Sequence, residues 1–191
     1  MRFNSQEHLD TWKRTGQFPF IHDDLFSLIA NYSREAQFMD LCCSTGLLGR
    51  RVVESDHSAT CVSVDGDALA MNAAVQAGVF DYNHRMTPVV RRLEDTASLV
   101  SLFREHTVRA IIARRCLPEL FGDDLALGKE FAQLAYVRGV REIFLEGRVR
   151  VSEPVNALSC VEKEMELFTG LYRPARRHEE CVMLARLEPI K

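Results

Sequence analysis

The stretch from Phe38 to Arg50 constrains the fold more than any other part of the chain. Apolar residues lead into the carboxylate Asp40, which is followed by small residues and then by a helix-like run from Leu47. This order is typical of a buried strand, a tight turn and the start of a helix. Free N–H groups and the positive end of the helix dipole favour an anionic or electron-rich ligand at such a turn. We therefore predict a ligand site here; the alternative is a strand–helix junction without a ligand.

Strand-like and helix-like segments alternate along the rest of the chain. The predicted strands cover residues 37–41, 58–65, 87–93, 108–114, 142–146, 171–177 and 181–187. The predicted helices cover residues 5–15, 23–29, 47–53, 67–74, 96–103, a part of 123–137, and 155–168. The last two strands are too close for a crossover helix, so they are expected to be antiparallel. The pattern predicts a doubly wound α/β fold: a mostly parallel seven-stranded sheet with helices on both faces and a C-terminal antiparallel hairpin.

The first residues do not belong to this alternation. We predict a helical flap over residues 1–36 and a single globular domain over residues 37–191. Asp23 or Asp24 is expected to cap the second helix of the flap. His22 beside these aspartates is a candidate base or substrate ligand; the alternative is an ordinary histidine at a helix start. Further along the chain, Asp95 or Thr96 is expected to cap the helix over residues 96–103.

Composition and charge exclude several classes of protein. The net charge of −3 gives no general electrostatic reason to bind nucleic acid. No apolar run reaches the length of a membrane span, and the polar first residues do not resemble a secretory signal. The six cysteines form no CxxC pair and no cluster with histidine at metal spacing. We therefore expect a cytoplasmic protein with reduced cysteines, no bound metal and no membrane contact.

A second carboxylate, Asp65, ends the strand-like run that follows the first predicted helix. It comes 19 residues after Gly46. In a βαβ unit this separation places a carboxylate beside a ribose, where it accepts hydrogen bonds from two hydroxyls. The alternative role for Asp65 is a helix cap or a solvent-exposed carboxylate.

The run Asp40-Leu41-Cys42-Cys43-Ser44-Thr45-Gly46-Leu47-Leu48-Gly49 resembles motif I of the class I S-adenosylmethionine-dependent methyltransferases. That motif is commonly D-x-G-x-G-x-G, and here two other small residues, Cys42 and Ser44, replace glycines. The order of elements from about residue 37 to the end is similar to the whole core of that family. The resemblance implies S-adenosylmethionine as the cofactor.

The same resemblance implies roles for individual residues. Asp40 would steady the turn and hold the methionine amino group, and Gly46 would line the cofactor. Asp65 would hold the ribose, and Glu94 or Asp95 would contact the adenine. The full set of implied cofactor-binding residues is Asp40, Cys42, Ser44, Thr45, Gly46, Leu48, Asp65, Gly66, Glu94, Asp95 and Arg114.

The run Arg114-Arg115-Cys116-Leu117-Pro118-Glu119-Leu120 lies where the fourth strand of that family meets the active site. It lacks the [DNS]-P-P-[YFW] motif of amino-methylating DNA enzymes, which argues against methylation of adenine N6. Cys116 is either an attacking thiolate, as in C5-pyrimidine enzymes, or a buried structural cysteine. The two arginines either contact an anionic substrate or pair with Glu119 and Asp123. The candidate catalytic residues are Arg115, Cys116, Glu119 and His22.

The most basic local cluster comes near the end of the chain. It consists of Arg173, Arg176, Arg177 and His178. This cluster either contacts a phosphate-bearing substrate or forms the solvated face of the hairpin.

Three functions are compatible with these patterns. The first is transfer of a methyl group from S-adenosylmethionine to an unidentified acceptor, either a small molecule, a nucleic acid or a protein. The alternative is a catalytically degenerate methyltransferase-like module that binds S-adenosylmethionine or a protein partner without turnover. A nicotinamide-dependent enzyme on a related fold is the third, and the incomplete glycine pattern and the closing hairpin argue against it.

Overall fold

The computed structural model describes residues 5–147, 158, 160–177 and 184–190, and in this part seven strands form one sheet. The strands are β1 Gln37–Leu41, β2 Thr60–Asp65, β3 Met86–Val90, β4 Ala110–Arg114, β5 Glu142–Glu146, β6 Tyr172–Arg177 and β7 Leu184–Pro189. Their order in the sheet is β3-β2-β1-β4-β5-β7-β6. The pairs β1–β2, β2–β3 and β4–β5 are parallel, whereas β7 is antiparallel to β5 and β6. The predicted fold class is confirmed.

Helices alternate with these strands. The helices of the described residues are α1 Ser5–Thr15, α2 Asp23–Tyr32, α3 Leu47–Ser55, α4 Ala68–Gln76, α5 Thr96–Glu105, α6 Leu117–Phe121, α7 Leu125–Val137 and α8 Val161–Glu166. The short α6 was not predicted. Of the predicted helix over residues 155–168, only Val161–Glu166 is helical, as α8. The described residues 158, 160, 167 and 168 are not helical, and positions 155–157 and 159 lie outside the described residues. Residues 181–183 of the last predicted strand also lie outside them.

The predicted cap of α2 is wrong. The residue at the N-cap position is His22, and no side chain caps the helix there. Asp23 already has helical backbone angles, with φ −60° and ψ −45°, because a 3-10 turn over Phe20–His22 continues directly into α2. Asp23 and Asp24 both lie in the first helical turn, so neither occupies the N-cap position.

The chain divides into two compact units, residues 1–92 and 93–191. In the first unit β2 lies between β1 and β3, and every residue of β1 after Gln37 is buried. Helix α2 packs against α3, and α1 packs against α4. The boundary between a flap of residues 1–36 and a domain of residues 37–191 stays a prediction.

Arg50 on α3 joins several parts of the first unit. Its Nη1 donates to the main-chain oxygen of Val79 at 2.9 Å, and its Nε donates to Glu54 Oε1 at 2.6 Å. Its guanidinium also lies 4.2 Å from the centre of the Tyr82 ring and 5.6 Å from that of Trp12. Trp12 of α1 thus contacts α3 through the Arg50 guanidinium over its ring.

We expect Arg50→Ala to lower the free energy of unfolding by about 2–3 kcal/mol, because hydrogen bonds and ring contacts of a mostly buried cation are lost together. Urea unfolding of the full chain measures this. Arg51→Ala is the matched control, since Arg51 pairs with a half-exposed carboxylate on Asp23 and lies over the Phe26 ring. Its expected cost is about 1 kcal/mol. A loss no larger for Arg50→Ala than for Arg51→Ala would contradict the joining role of Arg50.

The second unit contains β4 to β7. Strands β4 and β5 are buried almost throughout, as their near-continuous apolar sequences predict. Phe131 of α7 is fully buried, and its ring centre lies 5.8 Å from that of Phe103, 5.2 Å from Phe121 and 6.4 Å from Phe168. These rings form the aromatic part of its core. Among all the helices described, none combines the length and the apolar character needed to cross a membrane.

Candidate functional site

The turn between β1 and α3 keeps the backbone of a glycine-rich loop without most of the glycines. Cys42 has φ +50°, Ser44 has φ +55° and Gly46 has φ +70°. These alternate residues are the ones that align with the three glycines of the methyltransferase motif. A left-handed backbone costs a non-glycine residue roughly 1–2 kcal/mol. The rest of the fold therefore imposes the shape of this loop in spite of two unfavourable side chains.

We expect Cys42→Gly to leave the free energy of unfolding unchanged or to raise it by up to about 1 kcal/mol, because relief of backbone strain slightly exceeds the added entropy of the unfolded chain. Cys43→Gly is the control, since Cys43 lies outside the left-handed region. It should destabilise the protein by about 1 kcal/mol or more, since a packed thiol is lost and flexibility is gained. Chemical denaturation measures both variants. A clear loss of stability in Cys42→Gly would show that its thiol outweighs the strain.

Asp40 connects the end of β1 to the first turn of α3. It is 2% exposed, and its Oδ2 accepts a hydrogen bond from the main-chain N–H of Gly49 at 3.2 Å. The N-cap residue of α3 is Gly46, which has no side chain of its own to cap the helix, so among the first-turn amides Asp40 satisfies that of Gly49. The amides of Leu47 and Leu48 in the first turn are therefore suited to a ligand with a negative or electron-rich group.

Asp65 joins this loop to the next turn of the sheet. Its Oδ2 accepts a hydrogen bond from the main-chain N–H of Ser44 at 2.7 Å, and its Oδ1 accepts one from Asp67 at 2.7 Å. The cap of α4 is Asp67, whose carboxylate accepts from the amides of Leu69 and Ala70. Each oxygen of Asp65 has a second lone pair, so the carboxylate can accept further hydrogen bonds, such as those of ribose hydroxyls.

The remaining predicted residues of the first unit differ in what they offer. Thr45 and Leu48 are 6% and 4% exposed, so Leu48 offers a ligand its main-chain amide rather than its side chain. Gly66 is exposed and lies against Arg92. A Cβ on Gly46 would lie 2.7 Å from the ring of Phe80, so this ring packs directly against the loop. Phe80 was not predicted, because nothing local in the sequence links it to the loop.

The thiols beside the loop serve packing. The Sγ of Cys43 lies 3.5 Å from Met71 Sδ. Burial, followed by the nearby carboxylates of Asp40 and Asp65, raises the pKa of Cys43 well above its usual range. Burial and then Asp40 also raise the pKa of Cys61. Both thiols are therefore neutral near pH 7 and are poor nucleophiles.

In the second unit Asp95 caps α5, as predicted. Its carboxylate accepts a hydrogen bond from the Ser98 amide at 2.7 Å, and its own amide donates to the Ser98 hydroxyl. Hydrogen bonds from the Ser98 backbone, and then from its side chain, to the carboxylate lower the pKa of Asp95. Glu94 is exposed. Contact of Glu94 or Asp95 with adenine stays a prediction.

Arg114 and Arg115, at the end of β4, share one carboxylate. Arg114 Nε lies 3.2 Å from Glu146 Oε2, and Arg115 Nε lies 2.6 Å from Glu146 Oε1. Glu146 ends β5 and is 3% exposed. Glu119 and Asp123 were one predicted alternative as partners of these arginines, beside an anionic substrate, and Glu146 was not predicted. The signal that would have found it is a carboxylate at the end of a strand buried on both faces.

The other candidate residues occupy varied environments. Cys116 is 4% exposed, which favours the alternative of a structural cysteine, whereas Glu119 is exposed on α6. His22 is half-buried at the start of α2.

The basic cluster lies partly on β6. Arg173 is exposed on this strand, which also includes Arg176 and Arg177, and His178 lies outside the described residues. Catalysis by Arg115, Cys116, Glu119 or His22 and phosphate binding by the basic cluster stay predictions. The described residues contain no group of three or more metal-ligating side chains that could hold an ion.

Comparisons with known proteins place this geometry in a structural class. No protein-family model and no curated protein matches the chain. Among solved structures, it is similar to an O-methyltransferase family protein from Burkholderia thailandensis, with a TM-score of 0.65 and 14% identity over 98% of this chain and 59% of that one. It is also similar to magnesium protoporphyrin IX methyltransferase from Synechocystis PCC 6803 with bound S-adenosylmethionine, with a TM-score of 0.63 and 12% identity over 100% of this chain and 86% of that one.

A third similar structure is a pyocyanin biosynthetic protein, with a TM-score of 0.61 and 15% identity over 88% of this chain. The chain spans 55% of that protein and 59% of the Burkholderia protein. The chain thus has the fold of the class I S-adenosylmethionine-dependent methyltransferases. The resemblance that motif I indicated in the sequence is confirmed as a likeness of fold.

Proposed function

We propose that this chain is an S-adenosylmethionine-dependent methyltransferase. The observation that carries the proposal is the loop after β1, in which residues 42, 44 and 46 all have a left-handed backbone. Glycine would adopt these angles without strain, whereas cysteine and serine do not. Strain of this kind persists where the surrounding structure over-determines it, and it clusters at ligand sites. The loop also leads into the N-terminus of α3, where the N-cap residue Gly46 has no capping side chain.

The residues of the first unit fit the chemical groups of this cofactor. The carboxylate of Asp65 has spare acceptor capacity for the two ribose hydroxyls. Asp40 holds the first turn of α3 through the amide of Gly49. Close approach of a ligand to the main chain at residues 44–46 is favoured by the small side chains of this segment. Cofactor contact by Glu94, Asp95 and Arg114, which belong to the second unit, stays a separate prediction.

S-adenosylmethionine supplies a methyl group already activated by a sulfonium leaving group. The main task of the chain is then to hold an acceptor in line with that group, and proximity and orientation can supply roughly 7–11 kcal/mol of the barrier in favourable systems. A general base is required only if the acceptor atom must lose a proton. The proposal therefore does not depend on assigning a base.

Calorimetric titration of the purified chain with S-adenosylmethionine, S-adenosylhomocysteine and NAD tests the proposal. We expect micromolar dissociation constants for the two adenosyl ligands and no heat with NAD. Absence of binding by both adenosyl ligands would contradict the proposed function. Binding of NAD alone would favour the nicotinamide-dependent alternative.

Turnover separates the enzyme from a module that binds without catalysis. Single-turnover incubation with methyl-labelled S-adenosylmethionine and a panel of small-molecule, nucleic-acid and protein acceptors would detect transfer of the label. Label on any acceptor would support catalysis. Tight cofactor binding with no transfer across the panel would favour the degenerate module.

A further inference from the structure

The carboxylate of Glu146 is buried at the end of β5. Its side chain is 4% exposed, and two arginines flank it, with Nε–Oε distances of 3.2 Å for Arg114 and 2.6 Å for Arg115. Burying a carboxylate is costly unless opposite charges and hydrogen bonds surround it. A single arginine would neutralise its charge, so the second one calls for a separate explanation.

Arg115 differs from Arg114 in two respects. The side chain of Arg115 is 35% exposed, against 14% for Arg114. Arg115 also has a left-handed backbone, with φ +54°. Its main-chain N–H donates to the main-chain oxygen of Glu146 at 2.6 Å. A left-handed backbone is unfavourable for arginine, and backbone strain of this kind is found mostly at functional sites, where it positions a side chain. The ion pair places the buried Nε of Arg115 beside Glu146 Oε1, although the two atoms make no hydrogen bond, while the side chain as a whole stays partly exposed.

The guanidinium of Arg115 has donors left for a ligand. Within the described part of the chain, the ion pair of Arg115 is the one that its Nε makes with Glu146. Arginine carries five N–H donors in a planar fork, and the two terminal nitrogens match the two oxygens of a carboxylate or phosphate. A guanidinium whose Nε side faces Glu146 therefore keeps its terminal nitrogens for an anion.

We propose that Arg115 binds an anionic group, a carboxylate or a phosphate, on the methyl acceptor. Arg115 follows β4, and ligands of open α/β sheets bind outside the carboxyl ends of the strands. Glu146 acts as its positioning residue. The inference rests on the proposed function, because the acceptor is defined by methyl transfer. It narrows the substrate class to molecules that carry an anionic group.

Three small probes test this in the full chain without knowledge of the acceptor: benzoate, inorganic phosphate and neutral benzamide. Each is titrated into ¹⁵N-labelled protein at constant ionic strength, and the backbone amide signals of residues 114–116 are followed. We expect saturable shifts with benzoate or phosphate and none with benzamide. Arg115→Gln should weaken anion binding at least tenfold. The control Arg138→Gln removes an exposed arginine at the end of α7 and should leave it unchanged.

The outcomes distinguish a carboxylate from a phosphate on the acceptor, and they separate failure of this inference from failure of the proposed function. Saturation by benzoate supports a carboxylated acceptor, and saturation by phosphate alone supports a phosphorylated one. An unchanged anion affinity in Arg115→Gln, or equal shifts with benzamide, would overturn the inference. If Arg115→Gln fails to fold, Arg115→Lys keeps the charge without the fork and should weaken benzoate binding several-fold. Calorimetry with S-adenosylmethionine on the same wild-type sample tests the proposed function separately.

Discussion

Replacing Asp65 with alanine is expected to weaken S-adenosylmethionine binding by about 1–3 kcal/mol, or roughly 5- to 150-fold. Two effects act in the same direction. The variant loses the charged acceptor that we propose for the ribose hydroxyls, and the loop loses the carboxylate that accepts from the Ser44 amide at 2.7 Å. Calorimetric titration of wild-type and variant protein measures the difference in affinity.

Asp67→Ala is the matched control for this experiment. It removes a neighbouring carboxylate that caps α4 through the amides of Leu69 and Ala70. Loss of a cap costs about 1 kcal/mol of stability, so the control shows what a similar destabilisation does to binding. We expect its cofactor affinity to stay within a factor of two of the wild type. An unchanged affinity in a folded Asp65→Ala protein would remove Asp65 from the site.

Replacing Gly46 with alanine is expected to cost about 2–4 kcal/mol of stability, since backbone strain and overpacking add. Gly46 has φ +70°, and a Cβ there would lie 2.7 Å from two carbons of the Phe80 ring. That ring is buried and has little room to move. Urea unfolding, monitored by far-UV circular dichroism, gives the free energy of unfolding.

Gly16→Ala isolates the backbone contribution. Gly16 has φ +71°, and nothing lies within 4 Å of a Cβ built on it. Its substitution should cost only the strain of a left-handed alanine, about 1–2 kcal/mol. The difference between the two variants is then the cost of overpacking against Phe80. Equal losses in both would mean that the Phe80 ring moves aside freely, and the loop would be less constrained than the structure indicates.

Local pattern predicted most of the elements that build the fold. Strands β1 and β5 occupy the predicted residues, because each is an apolar run between polar or turn-forming residues. The cap of α5 at Asp95 was among the two predicted positions, since capping depends on a side chain and an amide three residues apart. The short α6 was missed, because five residues carry no clear periodicity.

Some features of the loop after β1 followed from the sequence, and others are seen only in the structure. Its position between a strand and a helix followed from the sequence. The left-handed backbone angles at Cys42 and Ser44 could not be predicted from the sequence, because both residues intrinsically disfavour such angles. Hydrogen bonds from outside the loop help to hold it: the Cys43 amide donates to the Val64 oxygen at 3.1 Å, and Ser44 donates to Asp65.

The sequence by itself determined the order of strands and helices, the position of the turn after β1 and the resemblance to methyltransferases, because each depends on neighbours in the chain. The tertiary structure alone decided which distant groups meet. Glu146 reaches Arg115 only because β5 pairs with β4 in parallel, with Arg114 opposite Glu146. The Phe80 ring lies against Gly46 through tertiary packing, which no local sequence pattern predicts. Such contacts depend on register and burial, which the chain acquires only when its strands have paired.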